Sequence, residues 1–245
     1  MVKISISDPG EILTQHPPFL IHRATLKHWK DVVLGGKLWP PLRKSLAVST
    51  LTTILALLLT IPGAYAVSRL PFRNLKYWII IAIFLTRMFP EVVIALPIAE
   101  RFIRWGLFDT SMGLVLAHLI KVIPISAWIL VNTYDVIPPE LERSAAMDGA
   151  DRWRALAHIV IPLASPGIAV AAIYSWLTSW EEFTFALFLN LKNKTMPLQV
   201  YYYIHRGDWF LTAAYATLIA LPVVIVTYAL QRYLRPEYLA GAVKG

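Results

Sequence analysis

The chain has 245 residues, 57% of them hydrophobic and 16% charged, with a mean hydropathy of +0.57. Soluble domains carry roughly a quarter charged residues and under half apolar ones, so an ordinary soluble globule is excluded and a polytopic membrane protein is indicated. There is no cysteine, which rules out disulfides and thiolate metal sites, and the net charge of +8 is scattered rather than striped, which favours anionic lipid over nucleic acid.

Residues 1–44 are polar, and Met1–Ile6 is too short for the apolar core of a signal peptide. A spanning helix needs about 20 mostly apolar residues. Five stretches meet that need: Leu46–Val67, Tyr77–Ala99, Met112–Val131, Leu163–Leu189 and Leu211–Tyr233. The predicted fold class is therefore all-α, a polytopic membrane helix bundle. In the first stretch Gly63 is expected to permit close helix approach. Arg87, Pro90, Glu91 and Pro97 interrupt the second, and Lys121 and Pro124 the third, so both are expected to face the bundle interior. Arg87 and Glu91 are four apart and share a helix face, which suits either an ion pair between spans or a polar lining of a translocation route. His118 reads as a helix–helix contact. In the fourth stretch Trp176 and Trp180 stand near Glu181 and Glu182. Aromatic faces beside carboxylates suit sugar rings, although tryptophans also mark membrane interfaces. Tyr201–Tyr203 reads as interfacial or as part of a surface that meets an external protein.

The most structured connection is Tyr134–Pro162. Pro138 and Pro139 suit the opening of a helix, and Glu140 and Glu142 sit in its first turn, where the dipole favours acids. Ser144, Ala145 and Ala146 give a face poor in side chains. Asp148-Gly149 is a helix stop, Asp151 is placed to cap a second helix over Arg152–Ile161, and Pro162 is expected to end it. A short, small-faced helix at a membrane edge fits a partner's groove; a solvated loop helix with no special role has the same pattern.

Ile137–Pro166 resembles the loop signature of the permease subunits of binding-protein-dependent ABC importers, E-A-A followed by G and a downstream L-P. Glu142, Ala145, Asp148-Gly149-Ala150 and Ile161-Pro162-Leu163 carry the match. Arg143 stands where the family often has a second glutamate, and Ser144 where it often has alanine. Ser5–Glu11, Leu70–Arg73, Gly106–Thr110 and Trp180–Phe183 are also similar to family segments. Gln231–Leu234 and Ala240–Gly245 resemble the ending of the carbohydrate branch, of the maltose and trehalose type.

The resemblance implies a cytoplasmic ABC ATPase dimer, a second permease subunit and an extracytoplasmic solute-binding protein as partners, membrane lipid around the bundle, and a sugar as cargo. It implies docking through Glu140, Glu142, Arg143, Ala145, Ala146, Asp148, Gly149, Ala150 and Pro162. Arg87, Glu91, Trp176, Trp180 and Glu181 are candidates for the translocation pathway. No cofactor, metal or catalytic residue is expected: no G-x-x-x-x-G-K-[ST] occurs, since Gly35-Gly36-Lys37 lacks the spacing, and the six histidines are dispersed. ATP hydrolysis is expected in a partner, and this chain is not expected to be an enzyme. A permease for a non-sugar solute and an ATPase-independent secondary transporter are the alternatives.

Docking to an ATPase places the 134–162 loop and the carboxyl-terminal tail 237–245 in the cytoplasm, residues 1–44 outside, and 45–236 in the transmembrane domain of a multi-pass protein of the cell's inner membrane. Charge counting does not favour this orientation. The inside loops hold nine Lys and Arg residues, but the amino-terminal segment alone holds seven, with Arg43 and Lys44 directly before the first span. The family usually has six spans, so a further span is expected upstream, normally delivering this basic segment outward.

Overall fold

The computed structural model describes residues 1–12, 14, 21 and 23–231. Two amino-terminal turns, α1 (Val2–Ser5) and α2 (Pro9–Ile12), precede α3 (Lys27–Val33) and the long α4 (Trp39–Ser68). Then come α5 (Arg73–Leu85), α6 (Glu91–Arg104) and α7 (Ser111–Asp135). A loop carries α8 (Pro139–Met147) and α9 (Arg152–Ala155), which passes through a π turn into α10 (Ile161–Leu163). The described residues end with α11 (Ser165–Trp180), α12 (Thr184–Leu189), α13 (Met196–His205) and α14 (Trp209–Gln231). The bundle is all-α as predicted, and the motifs beyond Gln231, with the tail 237–245, lie outside the described residues.

Among the described residues, α4, α7 and Trp209–Ala229 of α14 are long and apolar enough to cross a membrane. The predicted second and fourth spans are not straight. The second divides at Thr86–Pro90 into α5 and α6, of 13 and 14 residues. Each is about 20 Å long, short of a hydrocarbon core about 30 Å thick. The fourth belongs to a pair, Arg152–Leu163 and Ser165–Trp180, bent by 79°, and it breaks again at Glu181–Phe183. An apolar run reports composition and is silent on continuity, which the prolines and caps decide.

Pro162 does not end the second loop helix as expected; it lies inside α10, and the bend falls at Ala164. Proline lacks the N–H that would satisfy the carbonyl four residues back. Over Leu156–Val160 the helix widens, and the Ile161 N–H reaches back to the Leu156 carbonyl.

The centre is α4 against α7, with α11 crossing both. Ser45, Ser49, Thr52, Thr53 and Thr60 of α4 are buried. Their small size lets α7 approach, and hydroxyls of this kind donate to carbonyls four residues back, at 2.8 Å from Ser49 and Thr53 and 2.7 Å from Thr60. Gly63 has open space where a Cβ would project, so it does not serve the close approach expected of it. That role falls to Gly167 of α11, whose added Cβ would overlap the Thr133 side chain of α7.

One core joins α4, α6, α7 and α12 through Val48, Phe102, Leu114 and Phe185. A second joins Ala64, Leu130 and Tyr134 to Leu156 and Val160 of the loop. A third ties α3 and α13 to α14 through Val32, Tyr203 and Tyr215. Helices α1 and α3 therefore pack on α14, and α4 begins at Trp39 rather than after Lys44. Lys44 is buried and donates to Asn190 Oδ1 at 2.7 Å, so it does not act as a charge flanking the span.

Candidate docking loop and membrane-depth polar cluster

The loop's first helix has the bounds its residues dictate. Pro139 stands in the first turn of α8, with Glu140 and Glu142. Its end is a Schellman closure: the Gly149 N–H donates to the Ala146 carbonyl at 3.1 Å and the Ala150 N–H to the Ala145 carbonyl at 2.9 Å. Gly149 has φ +87°, a left-handed conformation that only glycine adopts cheaply. Asp151 caps α9 as expected, accepting from the Arg154 N–H at 2.7 Å.

The loop is bolted to the bundle by a group that sequence spacing did not single out. Arg69, just past the end of α4, sets Nη2 2.6 Å from Glu142 Oε1, and its Nε donates to the same oxygen at 2.8 Å. Nη1 and Nη2 donate to the carbonyls of Tyr134 and Ile137 at 3.0 and 3.2 Å. The Tyr65 hydroxyl donates to Glu142 Oε2 at 2.5 Å. Glu142, implied as a docking residue, thus turns inward to Arg69 and Tyr65. Nearby, Ser68 donates to Asp135 at 2.9 Å, and Lys76 of α5 pairs with the same carboxylate. The ends of α4 and α7 and the starts of α5 and α8 form one ionic knot.

Beside that knot α8 carries Arg143 and Glu140, both exposed and 3.5 Å apart, with the exposed Ala146 and the half-buried Ala145, and Arg143 and Ala146 line one cleft with Tyr65, Arg69 and Glu142. Met147 is 90% exposed and Trp153 69%. These two large apolar residues escaped the sequence reading, although both stand beside the glycine stop where a knob would meet its socket.

The pathway candidates separate. Arg87 and Glu91 do not pair, because Pro90 stands between them and caps α6. Instead Glu91 pairs with Lys121 at 2.8 Å, and Arg87 Nη1 donates to the Lys121 carbonyl at 2.6 Å and lies 3.2 Å from the Tyr174 hydroxyl. Trp180 is 1% exposed and donates to the Ile219 carbonyl at 3.2 Å, and Trp176 stacks on it at 5.0 Å. Trp180 therefore has no face free for a sugar. Glu181 is exposed and lines an open cleft with Phe183, Pro197 and Tyr201.

Its neighbour Glu182 is 2% exposed and accepts from the N–H groups of Phe185 and Ala186, at 2.9 and 3.2 Å, capping α12. Its Oε2 lies 3.3 Å from Nε2 of the buried His118, whose Nδ1 shares a hydrogen bond of 2.7 Å with the Ser179 hydroxyl. His118 is the helix–helix contact expected. An acid just before the apolar Phe185–Leu189 run was the available signal for the cap at Glu182.

The chain as a whole has known relatives. Residues 46–239 match the family described as binding-protein-dependent transport system inner membrane component, and the chain belongs to that family of transport-system membrane subunits. It is 31% identical to the inner membrane ABC transporter permease protein YcjP of Escherichia coli (strain K12), over all of this chain and 89% of that one. It is also 31% identical to the trehalose transport system permease protein SugB of Mycobacterium tuberculosis (strain CDC 1551 / Oshkosh), covering 90% of this chain and 82% of that one. In fold it resembles a chain of a bacterial ABC transporter involved in import of the acidic polysaccharide alginate, with a TM-score of 0.78 and 22% identity over 96% of this chain and 88% of that one.

Proposed function

We propose that this chain is one of the two membrane subunits of an ATP-driven importer and passes a sugar, handed over by an external solute-binding protein, across the inner membrane. The loop carrying α8 docks a cytoplasmic ABC ATPase. Residues 45–236 form the transmembrane domain, and the loop and carboxyl terminus are cytoplasmic. The observation that carries this reading is the construction of α8: small-faced, ended by Gly149 in a left-handed turn, and tied to the bundle through Glu142 and Arg69. A push on such a helix is passed to α4, α5 and α7 rather than absorbed by a slack loop. A sugar cargo is supported by the carboxyl-terminal resemblance and by the trehalose permease among the relatives. Glu140, Arg143, Ala145, Ala146, Asp148, Ala150, Met147 and Trp153 make up the docking side, and Pro162 lies in the return to the bundle. Arg87, Glu91, Glu181 and the exposed side of Trp176 line the route, and Trp180 supports Trp176.

The test is ATP-driven uptake in proteoliposomes holding this chain, its partner permease, the ATPase and the binding protein. Gly149→Pro cannot take φ +87° and should uncouple hydrolysis from uptake while leaving membrane insertion intact. Unchanged uptake in that variant would falsify the lever role.

A further inference from the structure

Arg87 is held at membrane depth beside the gap between α5 and α6, with no carboxylate of its own. Both bonds it makes leave from one nitrogen, Nη1, to the Lys121 carbonyl and the Tyr174 hydroxyl. Its Nε and Nη2 have no partner among the described residues. The acid lining the same cleft, Glu91, is engaged by the Lys121 ammonium. Two cations thus stand against one anion.

Lys121 lies near the middle of the 25-residue α7. At 1.5 Å of rise per residue the cluster is on the order of 15 Å from either end of that helix. At that depth a charge faces a bundle interior or a water-filled cavity, not lipid. The irregular backbone of Thr86–Pro90 is tolerated there on the same terms.

The free edge decides what such a cavity would hold. Nε and Nη2 form the side of a guanidinium that grips a planar carboxylate with two parallel hydrogen bonds. The two bonds from Nη1 fix the plane while leaving that edge open. The cleft lined by Arg87, Glu91, Lys121, Phe89 and Phe185 has about 50 Å³ of space. On the threshold of about 10–15 Å³ of such space for one water, a small functional group has room beside the guanidinium. Phe89 is 60% exposed next to the guanidinium and offers an apolar shelf for a sugar ring.

We infer that Arg87 binds an anionic group on the transported sugar, a carboxylate above all, so that the cargo is an acidic saccharide. This rests on the importer reading above and adds the chemical class of its substrate. Lys121 is a positioning residue: its carbonyl orients Arg87, and its ammonium keeps Glu91 from neutralising it.

The experiment uses the assembled importer with its binding protein in proteoliposomes. ATP-dependent uptake is compared within matched pairs: glucuronate with glucose, galacturonate with galactose, and digalacturonate with galactobiose. In at least one pair the acidic member should be carried about tenfold or more faster. Arg87→Gln should erase that preference, and Arg87→Lys, which keeps charge but loses the fork, should fall between. If Arg87→Gln fails to assemble, the wild-type preference and Arg87→Lys decide. Neutral sugars carried as well as acidic ones, or an unaltered preference in Arg87→Gln, overturn the inference and leave the importer reading standing. Active ATP hydrolysis with no uptake of any sugar overturns the sugar reading and this inference together.

Discussion

Arg69 and Glu142 lie 73 positions apart in sequence, yet Nη2 and Oε1 are 2.6 Å apart, and this pair fixes α8 to the end of α4. Removing the guanidinium leaves a half-buried carboxylate held by Tyr65 alone and frees the Tyr134 and Ile137 carbonyls. Arg69→Ala should weaken the attachment of α8 by about 2 kcal/mol. Hydrogen exchange in Pro139–Met147 of the assembled complex should accelerate accordingly. Glu142→Ala combined with Arg69→Ala should be less damaging than the sum of the two, as expected of partners in one network.

Arg143 stands where the family's signature often has glutamate, and its contact within the chain is an exposed one with Glu140 at 3.5 Å. Arg143→Glu should leave the stability of the permease within about 0.5 kcal/mol of the parent, as for surface changes generally. Under the proposed docking role, its effect falls at the interface with the ATPase. Association with the cognate ATPase, measured by co-purification at low and high salt, should fall, and the difference should shrink as salt rises.

Gly167→Ala should destabilise the bundle by about 1–3 kcal/mol, because its methyl enters the space of the Thr133 side chain. Thr133→Ala in the same chain should recover part of that loss. Thermal unfolding of both variants in detergent checks the pair. An equal loss in the single and double variants would show that the two helices do not meet as described.

Glu181 and Glu182 should part company on mutation. Glu182→Ala strips the cap from α12, leaves two buried N–H groups without an acceptor and removes the carboxylate beside His118, at a cost of about 3 kcal/mol. Glu181→Ala, at an exposed position, should leave folding near that of the parent. Yield of monodisperse complex after solubilisation separates the two.

Much of this molecule is written locally in its sequence. The start and stop of α8, the cap at Asp151 and the straight spans all follow from residue types within a few positions of one another. The broken spans do not, because hydropathy averages over a gap as short as Thr86–Pro90. The i,i+4 spacing of Arg87 and Glu91 misled because it presumes a continuous helix, and Pro90 between them was the warning. Glu142's inward turn depends on Arg69, and no local pattern records a partner so far along the chain. Likewise, nothing in Trp180 itself says that Ile219 will occupy its indole N–H.

His118 and Lys121 are three residues apart on α7, and each attends a different discontinuity. His118 meets Glu182 at the break after α11, and Lys121 meets Glu91 and Arg87 at the break between α5 and α6. The same unbroken helix ends at Asp135, inside the ionic knot that anchors α8. A rotation applied at its Asp135 end would therefore turn both gaps together, as on a common axle, and one gap could not widen on this helix without the other registering it.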